Sequence, residues 1–326
     1  MRHLLILFLV HFSFVAAESF DQVVIWGHKL HTHTHSYIHE RFFRAFQYLG
    51  YPTYWFDNQD NVENFDFSRT LFLTEGQVDQ KIPLREDCIY VLHNCHTDRY
   101  ERLFQMGRCI HLQKYTDEVL EQPHLIKVEP FIYYDLEKRV VYIPWASDLL
   151  PYEIEEMKRR LPAIKKKRVC YWMGTIGDGL YGNIHQLNPF IKACHENGIE
   201  FFSNDPWAKG LSRQMLRECT AECFLAPAIV GKWQEENGYV PCRIFTNITS
   251  GQMGVTNSLR TYELFDRKIV YNRDTYQLFY DAMDRLKTWS LEDQYALMDF
   301  VKEKHTYLNR IATLLNFWEV LHPTDR

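Results

Sequence analysis

The chain has 326 residues, 46% hydrophobic and 24% charged, with a net charge of −5 and a pI near 6.3. That composition is ordinary for a soluble globular protein, and the length suits two domains better than one core. The acidic balance excludes nucleic acid as a bulk electrostatic partner, and the one basic run, "KRRLPAIKKKR" (158–168), reads as a solvated face.

The chain opens "MRHLLILFLVHFSFVAAESF". A basic start, an apolar run from Leu4 to Ala17 and the small residues Val15-Ala16-Ala17 describe a signal peptide over 1–17. His11 interrupts a run already short for a membrane span, so a retained signal-anchor is the second reading. Membrane contact is expected only through this segment. Arg2 before it and Glu18 and Asp21 after it place the remainder on the non-cytoplasmic side, in the secretory pathway or outside the cell. There the eight cysteines can pair. No CxxC occurs, which removes a zinc framework, and Cys88, Cys109 and Cys170 lie in runs that suit core thiols equally well.

"DQVVIWGH" reads as a strand ending at Gly27. Residues 36–49 follow as a helix with Ile38, Phe42, Phe43, Phe46 and Leu49 on one face, Ser36 as a cap and Gly50 as the stop. "PTYWFD", "TLFLT", "DCIYVLHN" and "RCIHLQKY" are the next strands, and "FIYYDLEKRVVYIPWASDLLP" is a β-ribbon with an extended crossover. "YEIEEMKRRLPAIKKKR" is helical until Pro162 breaks it, which sets the domain boundary. A second cycle begins with the strand "RVCYWMGTIG" and a glycine loop. The helix "GNIHQLNPFIKACHENG" comes next, with Ile184, Leu187, Ile191 and Cys194 inward and Gly198 ending it. "IEFFS", "CFLAPAI" and "KIVYN" read as strands, "LSRQMLREC" and "DTYQLFYDAM" as helices, and the last thirty residues as one or two long helices. The alternation predicts an α/β fold of two Rossmann-like domains facing a cleft. The N-terminal domain spans 18–160, the C-terminal one 161–300, and 301–326 form a helix.

Four stretches can carry chemistry. "GHKLHTHTHSYIH" holds His28, His31, His33 and His35 at the carboxyl end of the first strand, where open α/β sheets bind ligands. A metal would need His31, His33 and His35 to converge, which their spacing achieves only on one strand face. In a loop opening a helix they suit hydrogen bonding or proton transfer, or form a plain surface loop. "VLHNCHTDRYERL" brings His93, His96 and Asp98 to a second strand end. An Asp–His pair there suits a general base, and a helix-capping Asp98 is the structural alternative. "WMGTIGDG" lacks the GxGxxG spacing, yet Gly174 and Thr175 allow close backbone approach to a phosphate, or a simple βα turn. "GYVPCRIFTNITSGQMGVTNSLRTYELF" crowds together Arg243, Ser250, Gly251, Thr256, Asn257, Ser258 and Glu263. Arg243 offers a fork for a diphosphate, the small residues a helix N-terminus for an anion, and Glu263, opening a helix, an acceptor for ribose hydroxyls. Cap and loop chemistry accounts for each of these residues singly.

These two halves, "WMGTIG" opening the second and "CRIFTNITSGQMGVTNSLRTYELF" near its end, resemble GT-B glycosyltransferases of the group 1-like kind. "WGHKLHTHTHSYIHERFFRAFQYLGY" is similar to their N-terminal segment, and the resemblance covers most of residues 20–285. It implies a nucleotide-diphospho-sugar donor on the C-terminal half, a glycan or other hydroxyl acceptor on the N-terminal half, and no obligatory metal or other cofactor. It also implies that the last helix packs back on the N-terminal domain. His28, His31, His93 and His96 would then contact substrate, with His33, His35 and Asp98 catalytic. The Glu-x7-Glu motif of many retaining members is not evident around Glu263, which leaves retention or inversion open. "NIT" (247–249) is the only glycosylation sequon, and the expectation is that it folds into the donor cleft and stays unmodified. Two other functions fit the residues: a metal-dependent hydrolase using the histidine loop and Asp98, or a non-catalytic carbohydrate-binding protein on the same scaffold.

Overall fold

The computed structural model describes residues 20–29, 34–76, 78–204 and 211–323. The signal sequence expected over 1–17, His31, His33 and the side chain of His35 lie outside the described residues. The first elements are β1 (Gln22–Trp26), α1 (Thr34–Tyr48), β2 (Thr53–Phe56), β3 (Thr70–Glu75), β4 (Ile89–His93), α2 (Thr97–Gln105) and β5 (Cys109–Gln113). Then come α3 (Asp117–Leu120), β6 (Ile126–Glu129), β7 (Ile132–Asp135), β8 (Val140–Tyr142), α4 (Pro151–Arg160), β9 (Lys167–Met173), α5 (Ile184–Glu196) and β10 (Glu200–Asn204). The remainder is α6 (Arg213–Glu222), β11 (Cys223–Leu225), α7 (Lys232–Glu236), α8 (Cys242–Thr249), β12 (Val255–Thr256) and α9 (Leu259–Leu264). Last are β13 (Val270–Tyr271), α10 (Thr275–Leu286), α11 (Leu291–Lys304) and α12 (Tyr307–Leu321).

The chain divides into two units. Unit 1 takes the described residues of 20–113, 123–143 and 307–323, and unit 2 those of 114–122 and 144–306. The divisions therefore fall before α4 and after α11, not at 160/161 and 300/301. Pro162 does end α4, in a 3-10 turn over Leu161–Ala163. The helix stays in unit 2 because Lys158 pairs with Asp299 of α11 at 2.8 Å and its carbonyl accepts from Tyr295.

Unit 1 is built on one sheet of order β2-β1-β3-β4-β5-β8-β7-β6, parallel through β8 and antiparallel beyond it. β3 and β4 are buried throughout, as unbroken apolar runs require when both faces of a parallel sheet are covered. Phe72 stacks on Tyr90 at 5.0 Å in the core beside Trp26. α1 buries Ile38, Phe42, Ala45 and Phe46, and Gly50 (φ 87°) closes it through the Gly50 and Tyr51 amides. The two terminal helices are distinct. α11 belongs to unit 2, whereas α12 returns to unit 1, where Tyr307 meets Phe42 edge-on at 4.8 Å and the Thr313 carbonyl accepts from Tyr134.

In unit 2, β10-β9-β11 form a parallel sheet that a parallel bridge, Ala228 to Thr256, extends to β12 and β13. α5 packs Leu187, Phe190, Ala193 and Cys194 against Cys170 and Trp172 of β9 and against Leu278, Phe279 and Ala282 of α10. All eight cysteines are free thiols.

Gly27, at the carboxyl end of β1, leaves room for the His39 ring: a Cβ there would lie 1.9 Å from His39 Nδ1. Gly27→Ala should lower urea-unfolding stability by about 1–3 kcal/mol. Most of that loss should vanish in a His39→Ala background. An equal loss in both backgrounds would show that the ring is not what excludes the methyl.

Candidate active site

With the bridge counted, the sheet of unit 2 has order β10-β9-β11-β12-β13, so the chain reverses direction across the sheet between β9 and β11. At such a switch point, outside the carboxyl ends of the strands, open α/β sheets form their ligand crevice. Arg243, the second residue of α8, lies at that point. Its Nε donates to the Met173 carbonyl ending β9 (2.8 Å) and its Nη1 to the Ile229 carbonyl beyond β11 (3.4 Å). The guanidinium lies over the Trp172 ring, 3.6 Å from its centroid. Gly174 has φ 117°, and a Cβ there would stand 2.5 Å from Arg243 Nη2, so only glycine leaves this face of the guanidinium open.

Burial pushes the Arg243 guanidinium down to about 10, with Cys242 and Tyr239 acting in the opposite direction. It remains protonated at neutral pH. Among the described residues no carboxylate pairs with it. A half-buried cation without an anion is costly unless a ligand supplies the charge.

The loop after β9 frames the same crevice. The Asn183 and Ile184 amides donate to the Gly177 carbonyl, and the Asn183 side chain bridges the Gly177 amide and the Thr175 carbonyl. This leads directly into α5, whose N-terminus favours negative charge. A Cβ on Gly231 would be 1.9 Å from the Gly182 carbonyl, so the loops after β9 and β11 touch backbone to backbone. Tyr181, 67% exposed, meets Trp233 edge-on at 4.9 Å.

The structure thus brings together Gly174, Thr175 and Arg243, and it gives the other expected donor residues different places. Ser250 and Gly251 do not open a helix: they close α8, where the Ser250 amide donates to Thr246 and Asn247 carbonyls. A helix carboxyl end carries partial negative charge, so it is the wrong pole for an anion. Gly251 (φ 85°) is needed there because Leu161 fills the space of a side chain. Thr256, Asn257 and Ser258 are fully buried. Asn257 clamps both backbone groups of Val230, at 2.8 and 3.0 Å, and Thr256 donates to the Ala228 carbonyl. They hold the strand end that offers the Ile229 carbonyl to Arg243. Ser258 caps α9, and Glu263 lies in the last turn of α9 instead of opening a helix; it is paired with Arg260 at 2.8 Å.

In unit 1, His28 follows β1 and His93 ends β4, buried beside Glu75 in the strand register. His96 is the N-cap residue of α2 but contributes no side-chain cap, and Asp98 lies exposed in the first turn of that helix. Asp98 lines a cavity of about 300 Å³ with Leu92, Tyr100, Glu101, Phe104 and His111, whose imidazole is held below its usual range by burial. Sequence reasoning passed over Trp172 and Glu75. Each carries a signal: an indole two residues before the glycine loop, and an acid ending the apolar run "TLFLTE".

Two doubly wound α/β units with a terminal helix returning to the first define the GT-B fold of glycosyltransferases. The chain is similar to a UDP-forming α,α-trehalose-phosphate synthase from Burkholderia xenovorans, with 10% identity over 74% of this chain and 75% of that one, at a TM-score of 0.50. It is likewise similar to an α-glucosyltransferase solved in complex with UDP, with 10% identity over 92% of this chain and 96% of that one, also at 0.50. No family model and no curated protein sequence matches the chain.

Asn247 of the sequon is 2% exposed, and its amide donates to the Ala226 carbonyl within unit 2. Expressed through a eukaryotic secretory pathway, the folded protein should carry no glycan at Asn247. Intact mass before and after glycosidase treatment checks this, and an occupied Asn247 in folded protein would mean that α8 is not buried.

Proposed function

We propose that the protein is a glycosyltransferase that moves a sugar from a nucleotide-diphospho-sugar to a glycan or other hydroxyl acceptor. The observation that carries this reading is Arg243, an uncompensated cation at the switch point of unit 2. A leaving diphosphate supplies the missing charge, and a fixed guanidinium with backbone amides neutralises it without reorganising as the glycosidic bond breaks. The open face of Gly174 and the start of α5 offer the close backbone approach that phosphate oxygens require. The glycosyltransferase fold supports the same reading, as does the UDP held by one protein of that fold.

On this reading the acceptor belongs to unit 1, with His28, His93 and His96 as contacts and His33, His35 or Asp98 as the source of the base. The reaction runs without a metal, because Arg243 takes the role that a divalent cation plays at other diphosphates.

UDP or GDP should raise the melting temperature of the protein. Arg243→Ala should abolish transfer and weaken binding of the cognate nucleotide by about 1.5–3 kcal/mol, the value of a charge-assisted hydrogen bond. Unchanged calorimetric affinity in that variant would remove the donor site from this crevice. Activity should also survive EDTA. Activity lost to chelator and restored by zinc would favour the hydrolase that the histidine loop also suggests.

A further inference from the structure

Unit 2 holds a second cation of the same kind. Lys114 is half-buried, with its ammonium 5.8 Å from the Trp145 ring centroid and 5.4 Å from that of Tyr239. Among the described residues it makes no hydrogen bond and no ion pair. Apart from Arg243, the other half-buried lysines and arginines of unit 2 do: Lys158, Arg213, Arg217, Arg260 and Lys302 each lie within 4.0 Å of a carboxylate. Two aromatic faces attract an ammonium but leave its charge in place. Burial lowers the Lys114 ammonium from its ordinary value, and the Cys242 thiol acts on it in the opposite sense. Cys242 and Tyr239 are also the groups that act on Arg243, so the two uncompensated cations share neighbours.

The position of Lys114 is fixed by its own segment. Three residues on, Asp117 pairs with Arg260, and its amide donates to the Asn237 carbonyl at 3.0 Å. Gly238 (φ 67°) gives the Asp117 carboxylate room, since a Cβ there would be 2.3 Å from its Oδ1. This short segment of unit 2 is thereby held in place, and the residue it positions is an ammonium without an anion among the described residues.

We propose that Lys114 is a second anion-binding residue of unit 2 and holds an oxyanion of the substrate beside Arg243. The inference rests on the reading of Arg243 as a diphosphate ligand. The oxyanion is one of two: a phosphate of the donor, or an acidic group elsewhere on the substrates. Neither requires Lys114 to exchange a proton; it supplies charge and up to three N–H donors.

Calorimetry on the full protein separates the cases. Lys114→Met keeps the aromatic contacts without the charge, Lys114→Arg keeps the charge, and thermal unfolding verifies that both variants fold. If the anion is the donor's, Lys114→Met weakens UDP binding about tenfold or more, weakens UMP binding less, and Lys114→Arg retains most of the affinity. If the anion lies elsewhere, UDP affinity is unchanged. Inorganic phosphate then binds UDP-saturated wild type and Lys114→Arg, but not UDP-saturated Lys114→Met. UDP and phosphate binding both unaffected by Lys114→Met would overturn the proposal. An Arg243→Ala variant with unchanged UDP affinity would instead overturn the donor-site reading, and the phosphate titration would still judge Lys114.

Discussion

A guanidinium held by two carbonyls and an indole face, with no carboxylate beside it among the described residues, carries a desolvation penalty that the rest of unit 2 must sustain. The stacking on Trp172 offsets part of it, by about 2 kcal/mol if the contact is well desolvated. The remainder is borne by rigidity. α8 starts at Cys242, one residue before Arg243, and polar groups that leave it little freedom pin its far end. Gln294 of α11 donates to the Ile248 and Gln252 carbonyls, Gln252 donates to the Thr220 and Cys223 carbonyls, and Asn247 reaches Ala226. A helix anchored at so many buried points cannot rotate to let its arginine escape to water. The charge stays at the switch point because the scaffold under it has no alternative packing.

The same network explains where the sequence was hardest to read. β1 to β5 and the helices α1 and α5 declare themselves through apolar patterning, and their boundaries fall within about two residues of expectation, with Gly50 and Gly198 marking the helix stops. The exposed β6 offers no such pattern and is not anticipated. α8 has an apolar stripe too, Ile244, Phe245 and Ile248, but its polar residues are buried with it. "CRIFTNITS" mixes β-branched, hydroxyl and amide residues, a composition that suggests a ligand loop, and the polar ones turn inward to hold backbone carbonyls. Residue type alone does not distinguish a Thr-Asn-Thr-Ser cluster that binds a phosphate from one that satisfies a buried helix. The difference lies in partners far along the chain. Arg243 stood out through its fork-shaped donor set and the crowd of small polar residues that follows it in the sequence, not through any feature of its own helix. Lys114 did not, since its rings come from positions 145 and 239.

The redistribution of residues at the chain's switch points also changes which groups are chemical and which are structural. Asn257 and Thr256 stand behind the Ile229 carbonyl by holding Val230 and Ala228 on either side of it, so their effect on a ligand passes through that segment's backbone. Glu263 is likewise committed to Arg260, which is committed to Asp117. Electrostatically the crevice therefore presents positive charge with little compensation, in a chain whose overall charge is negative. Such a local inversion draws an anionic ligand to one place and keeps the rest of the surface indifferent to it.

The return of α12 to unit 1 has a consequence for how the chain comes to exist. The first sheet is complete in sequence at Tyr142, yet its covering helix begins at Tyr307, where it meets Phe42 and then Tyr134. During synthesis, all of unit 2 emerges before that helix does. Phe42 of α1 and the ring of Tyr134 must therefore wait without these partners while unit 2 is being translated. A unit whose covering helix is made only after all of unit 2 relies on whatever shields nascent apolar surface during that interval.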